Sequence, residues 1–89
     1  MLKVWKYILT PGTNLLDVPV GARVLSVANQ RDSMALWMLL EPSEQKETRE
    51  FLVVGTDHNI DLPESTLFFI GTVQFGWLVF HAFEVRRSK

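Results

Sequence analysis

The chain has 89 residues, with nine Lys+Arg against ten Asp+Glu for a net charge of −1, and no cysteine. That length holds one domain, spanning residues 1–89. The charge lacks the basic surplus that a nonspecific binder of long nucleic acid needs. Without cysteine there are no disulfides, no Cys-ligated zinc and no thiol catalysis.

Forty-seven per cent of the residues are hydrophobic, three of them tryptophans. A small β domain cannot bury all of that internally, so a homo-oligomer is expected. No apolar run approaches the ~20 residues that cross a bilayer, and the start of the chain lacks the apolar stretch of a signal peptide. No membrane partner is therefore expected, and the expected location is the cytoplasm.

In chain order, residues 3–10 alternate with mixed residues on both faces, which predicts a strand near a sheet edge. Residues 11–14 form a turn by composition, and 15–18 are either a short strand or an extended link. Residues 19–21 break the chain again. Residues 22–28 make the next strand, with Val24 on one face and Leu25 and Val27 on the other. After a polar turn at 29–33, the apolar run 34–40, centred on Trp37, reads as a buried strand, although Met, Ala and Leu also favour helix. Together these two strands make a hairpin. Residues 43–47 form a charged connection with room for one helical turn, and 48–54 are another strand, ending at Gly55-Thr56. The longest irregular connection is 57–66, and loops of that length are often functional or flexible.

Residues 67–85 carry five of the six phenylalanines. They read as two long strands joined by a turn at Gln74-Phe75-Gly76 and as the centre of the core. In the second of them, Trp77, Val79, His81, Phe83 and Val85 share one face, and Leu78, Phe80, Ala82 and Glu84 the other. Both faces are largely apolar, as in a central strand covered on both sides. Residues 86–89 read as a frayed tail. The strand ending Gly55-Thr56 is echoed by the one containing Gly71-Thr72, either as a common strand-end pattern or as a duplicated unit. The count is six to seven short strands with little or no helix, connected as antiparallel hairpins. This is an all-β fold, a small β-sandwich or barrel.

No metal cluster of standard spacing, nucleophile elbow or glycine-rich phosphate loop is present, so no enzyme activity, cofactor or metal is expected. A small anionic ligand needs only two or three placed cations, and Arg23, Arg31 and Arg49 lie in or beside strands where a guanidinium fork can be held. Tyr7, Trp37 and Trp77 can stack on a base or serve core and interface. His58, with Thr56 and Asp57, sits in the loop after a strand, where its ring faces a ligand or bonds its own backbone. His81 lies mid-strand, as a neutral core histidine or a functional one.

Lys6-Tyr7, Pro19-Val-Gly-Ala22, Gln30, Leu36-Trp37, Gly55-Thr56-Asp57-His58, Ile70-Gly71-Thr72 and His81-Ala-Phe-Glu84 together resemble a family of small proteins encoded by tailed bacteriophages and prophages. That family tends to carry a Gly-Thr-Gly-His-Pro-type loop and a closing His-x-Phe-Glu. This chain departs from it at Asp57 and Asn59, where the family pattern has glycine and proline. The resemblance implies an accessory protein acting in the host bacterial cytoplasm, where such proteins often counter host defences. From it follows the expectation of a non-enzymatic, oligomeric binding protein that sequesters a nucleotide-derived immune signal. Its expected ligand contacts are Tyr7, Arg31, Trp37, Arg49, Thr56, Asp57, His58 and His81. The alternative is a structural or protein-interaction accessory module.

Overall fold

The eight-residue segment Ser33–Leu40 (β4), rich in helix formers, is a strand because turns bound it on both sides and because a strand pairs with it along each edge. Met34, Leu36, Met38 and Leu40 point into the core, and Ala35 on the opposite face is also fully buried. In the computed structural model, which describes residues 1–87, β4 is the central strand of a three-stranded sheet A, flanked by β1 (Lys3–Leu9) and β3 (Arg23–Gln30). Sheet B has the order β2 (Gly12–Pro19), β5 (Lys46–Gly55), β7 (Leu78–Val85), β6 (Leu67–Phe75). Every pairing is antiparallel. One 3₁₀ turn, Glu64–Thr66, is the only helical element among the described residues, and no helix there is long and apolar enough to cross a membrane. The all-β, antiparallel fold expected from the sequence is observed, and of the sandwich and the barrel it is the sandwich.

The two sheets meet at both margins. On one side the chain turns directly from β1 into β2, and Asn14 staples that corner. Its side chain accepts from the Thr10 N–H at 2.9 Å and donates to the carbonyls of Thr10 and Gly12 at 2.8 and 3.1 Å. On the other side β3 runs against β6, where Asn29 Nδ2 donates to the Gln74 carbonyl at 2.9 Å. Gly71 permits that approach, since a Cβ there would stand 2.8 Å from Val27 Cγ1.

Several sequence expectations are corrected. The core centres on β4 with Phe51, Val53 and Val18, not on residues 67–85, whose phenylalanines are all exposed or half-buried. Strand β7 is central in its sheet, yet its two faces are covered unequally: the inward face packs against sheet A, while outward only Val85 is buried and Val79, His81 and Phe83 are half-buried. The hairpin turn is Gly76-Trp77, one step later than expected, which takes Trp77 out of the strand and leaves it 91% exposed. A bulge between Val24 and Ser26 breaks the alternation of β3 and puts Val24 and Val27 on the same, inward face. Strand β2 runs for eight residues from Gly12, longer than the 15–18 segment expected, because it pairs along its whole length with β5.

One buried charge crosses the inter-sheet space. Glu84 is 4% exposed and points inward from β7. Arg49 Nε and Nη2 meet its two oxygens at 2.7 and 2.8 Å, while Nη1 donates to the Ala22 carbonyl just ahead of β3. Arg86 adds a third contact at 3.2 Å. Arg87 pairs separately with Glu50 at 3.0 Å, and residues 88–89 of the expected frayed tail lie outside the described residues. Burial is the largest single influence on the Glu84 carboxyl and pushes its pKa up, but the hydrogen bonds and charges of Arg49 and Arg86 outweigh it and hold the pKa below its ordinary value.

Removing one partner of such a pair strands the other charge, so Arg49→Ala and Glu84→Gln should each cost about 3–5 kcal/mol in denaturant unfolding. Because the folded-state pKa of Glu84 is depressed, its stabilisation is present above the ordinary carboxylate pKa and is lost as the pH falls through the folded value. Thermal melts of the unaltered chain should therefore drop below about pH 4.5, and Glu84→Gln should flatten that dependence.

Candidate functional site

Antiparallel pairing sorts the connections between the two ends of the sandwich. The β1–β2 corner, the β3–β4 turn, the β6–β7 turn and the exit from β5 gather at one end, the loop end. The Arg49–Glu84 pair lies toward the other. Strands β5 and β6 run parallel on either side of β7, so residues 56–66 leave the loop end and cross β7 to begin β6. Ile60 and Leu62 are half-buried along this crossing. Val85 is 5% exposed although it faces away from sheet A, which fits a crossing over that face.

The loop end holds both of the non-glycine residues with positive φ among the described residues, Arg31 (57°) and Asp57 (73°). The β3–β4 and β6–β7 connections are both two-residue turns, Arg31-Asp32 and Gly76-Trp77, with positive φ at the first position. Glycine takes that conformation at Gly76 without steric penalty, whereas Arg31 does so at a cost of about 1–2 kcal/mol. Asp57 sits in the turn closed by the His58 N–H on the Gly55 carbonyl at 3.1 Å. The His58 ring then lies over Gly55, where a Cβ would stand 3.0 Å from Cε1 and 3.1 Å from Nδ1. Glycine at this strand end makes room for the imidazole.

Three hollows adjoin at the loop end. The central one, ≈ 330 Å³, opens between the sheets and is lined chiefly by Ile8, Met34, Phe75, Leu78 and Phe80. It shares Leu78 and Phe80 with a second, ≈ 380 Å³, that includes Thr56, His58 and Trp77. It shares Ile8, Asp32 and Ser33 with a third, ≈ 460 Å³, that includes Lys6, Gln30 and Arg31. An apolar and aromatic middle is thus flanked by two cations on one side and by an imidazole and a hydroxyl on the other. Lys6 Nζ donates to Gln30 Oε1 at 2.7 Å, which draws the ammonium toward this end. A further hollow, ≈ 480 Å³, lies at the opposite end around Arg49 and Glu84, where the guanidinium fork is already engaged.

The residues singled out from the sequence therefore separate. Arg31, Thr56, Asp57 and His58 come to the loop end. Tyr7 points inward opposite Leu36; its hydroxyl has no hydrogen-bond partner among the described residues, and burial raises its pKa. Trp37 is half-buried on the outward face of sheet A between Lys6 and Ser26. Arg23 is exposed on that same face, opposite Leu39. Arg49 is committed to Glu84 at the far end. His81 stands on the outward face of sheet B between two threonines, with Thr56 Oγ1 2.7 Å from Nε2 and Thr72 Oγ1 3.0 Å from Nδ1. The echoed Gly-Thr segments thus flank β7 and grip one imidazole, and a ligand would have to displace a hydroxyl to reach either nitrogen. Among the described residues no three His, Asp or Glu side chains converge as metal ligands.

Sequence reasoning named Trp77 as a base-stacking candidate but left it out of the expected ligand contacts and placed it within a strand, and it missed Phe75 and Lys6 as members of this region. The signal for Trp77 was available, since Gly-x between two apolar runs is the pattern of a two-residue hairpin turn. Arg31→Gly and Asp57→Gly should each raise stability by about 1 kcal/mol by relieving the positive φ. Calorimetry should register each as an upward Tm shift of about 4–8 °C. An unchanged or lowered Tm would show that their side chains compensate for the backbone cost.

No curated protein and no solved structure matches the chain. A family model described as a domain of unknown function, DUF7352, matches residues 1–89, so the chain belongs to that family.

Proposed function

We propose that this chain is a non-enzymatic binding protein of the accessory kind carried by tailed phages, and that it sequesters a nucleotide-derived immune signal of the host at its loop end. The observation that carries this reading is the adjacency of the three hollows. A nucleotide needs a stacking surface, cations for phosphate and a polar edge for base or ribose. Trp77, almost wholly exposed, supplies the stacking surface; Arg31 and Lys6 supply the cations; Thr56 and His58 supply the edge. Two backbone positions with positive φ in the same region support the reading, because strain of this kind clusters at binding sites. Trp77 takes the stacking role that the sequence suggested for Trp37 or Tyr7, and Arg49 leaves the set.

A second reading, a protein-interaction accessory module, is favoured by the same exposed indole, since Trp is a frequent anchor of protein interfaces.

Native mass spectrometry with a panel of cyclic di- and trinucleotides and cyclic ADP-ribose isomers tests the first reading. Discrete mass additions are expected, with the ligand released unchanged on denaturation. Trp77→Ala and Arg31→Ala should each weaken binding by about tenfold or more. If no panel member adds mass, or if both variants bind as well as the unaltered chain, the nucleotide reading is wrong and the protein-partner reading takes its place. A chemically altered ligand after release would make the chain an enzyme and overturn both.

A further inference from the structure

The two outward sides of the sandwich differ in charge. The strands of sheet A carry Lys3, Lys6 and Arg23 and no carboxylate. The strands of sheet B carry Asp17, Glu47, Glu50 and Glu84 against Lys46 and Arg49, and the crossover adds Asp57, Asp61 and Glu64 with no cation. Of these, Lys6 and Arg23 face outward on sheet A, and Asp17, Lys46 and Glu50 face outward on sheet B, where Arg87 already pairs with Glu50; the excess of negative charge on that side comes from Asp17 and the crossover carboxylates.

Both sides also leave apolar side chains uncovered. Val4 and Ile8 from β1 and Leu25 at the β3 bulge are exposed on sheet A, beside half-buried Trp37 and Leu39. On sheet B the outward residues Leu15 and Phe69 are 67% and 61% exposed. The molecule is a slab of 39 × 35 × 15 Å, so each broad face exceeds the roughly 800 Å² per partner that a standard interface buries.

We propose that copies of this chain dock head to tail, with the outward face of sheet A of one copy seated on the outward side of sheet B of the next. The occupant is a second copy because the chain itself carries the complement: a basic apolar face and an acidic apolar face, on opposite sides of one thin slab. The two symmetric alternatives bring like charges together, Lys6 and Arg23 against themselves or Asp17 and the crossover carboxylates against themselves, which opposes association. A heterologous contact closes into a ring or continues as a stack, so assembly passes beyond the dimer.

Two charge-reversed variants test this away from the loop end, so self-association and nucleotide uptake read out separately. The first is Val4→Glu with Arg23→Glu on sheet A; the second is Leu15→Lys with Asp17→Lys on sheet B. By light scattering and native mass spectrometry, the unaltered chain should form species larger than a dimer, and these should shrink as salt rises from about 50 to 500 mM. Each variant alone should be monomeric, and mixing the two should restore the larger species, because each reversed face then meets an unlike one. The salt series on the unaltered chain reads the same attraction even if a variant folds poorly. A monomer at every concentration would overturn the proposal. So would a dimer that does not grow, assembly indifferent to salt, or folded variants that fail to reassemble when mixed.

Discussion

A carboxylate between two packed sheets is tolerated only when a cation and hydrogen bonds hold it, and the arrangement of this molecule depends on how Glu84 is held. Arg49 reaches it from the neighbouring strand with a two-point fork and, with its remaining nitrogen, takes the Ala22 carbonyl at the approach to β3. One guanidinium therefore ties sheet B to the entry of sheet A. The same contacts engage the whole Arg49 fork with internal partners, although a hollow of ≈ 480 Å³ opens beside it. At the other end turns, instead of ion pairs, close the structure, and Arg31, Thr56 and His58 gather there.

At the loop end the cost is carried by the backbone. Two turns of the same length and sign of φ place glycine in one and arginine in the other, and the difference between them is what a side chain adds. Gly76 makes its turn with little strain and lifts Trp77 into solvent. Arg31 makes the matching turn under strain and sets a cation on the rim. Gly55 contributes through the absence of a side chain, since the His58 ring occupies the space its Cβ would fill.

Much of the fold was legible in the sequence because alternation, turn residues and strand length agree along most of the chain. Strand β5 is the clearest case: Phe51 and Val53 face inward and Leu52 and Val54 outward, as the alternation requires. Two things were not legible. Aromatic content in residues 67–85 suggested the core centre, yet the rings there line margins and faces, while Phe51 of β5 and aliphatic and methionine side chains from β2, β4 and β5 fill the middle. The bulge in β3 shifts the inward set by one residue, and nothing in Val24-Leu25-Ser26 marks it. Among site residues, Arg31, Thr56, Asp57 and His58 were findable because turn and strand-end positions show in a sequence. The pairing of Arg49 with Glu84 was not, because those residues are brought together only by the register of β5 against β7.

The strand order also constrains how the chain reaches this state. The β3–β4 and β6–β7 hairpins close over two-residue turns and can form as soon as their own residues are available. Strands β1 and β2 find their partners β4 and β5 only after the intervening chain has been laid down. The loop-closure entropy of both pairings must be overcome before their contacts stabilise anything. During synthesis the N-terminal strands, with Trp5, Tyr7, Leu9 and Val18, thus wait uncovered for sequence that emerges later. That places the molecule among slow-folding β topologies despite its small size.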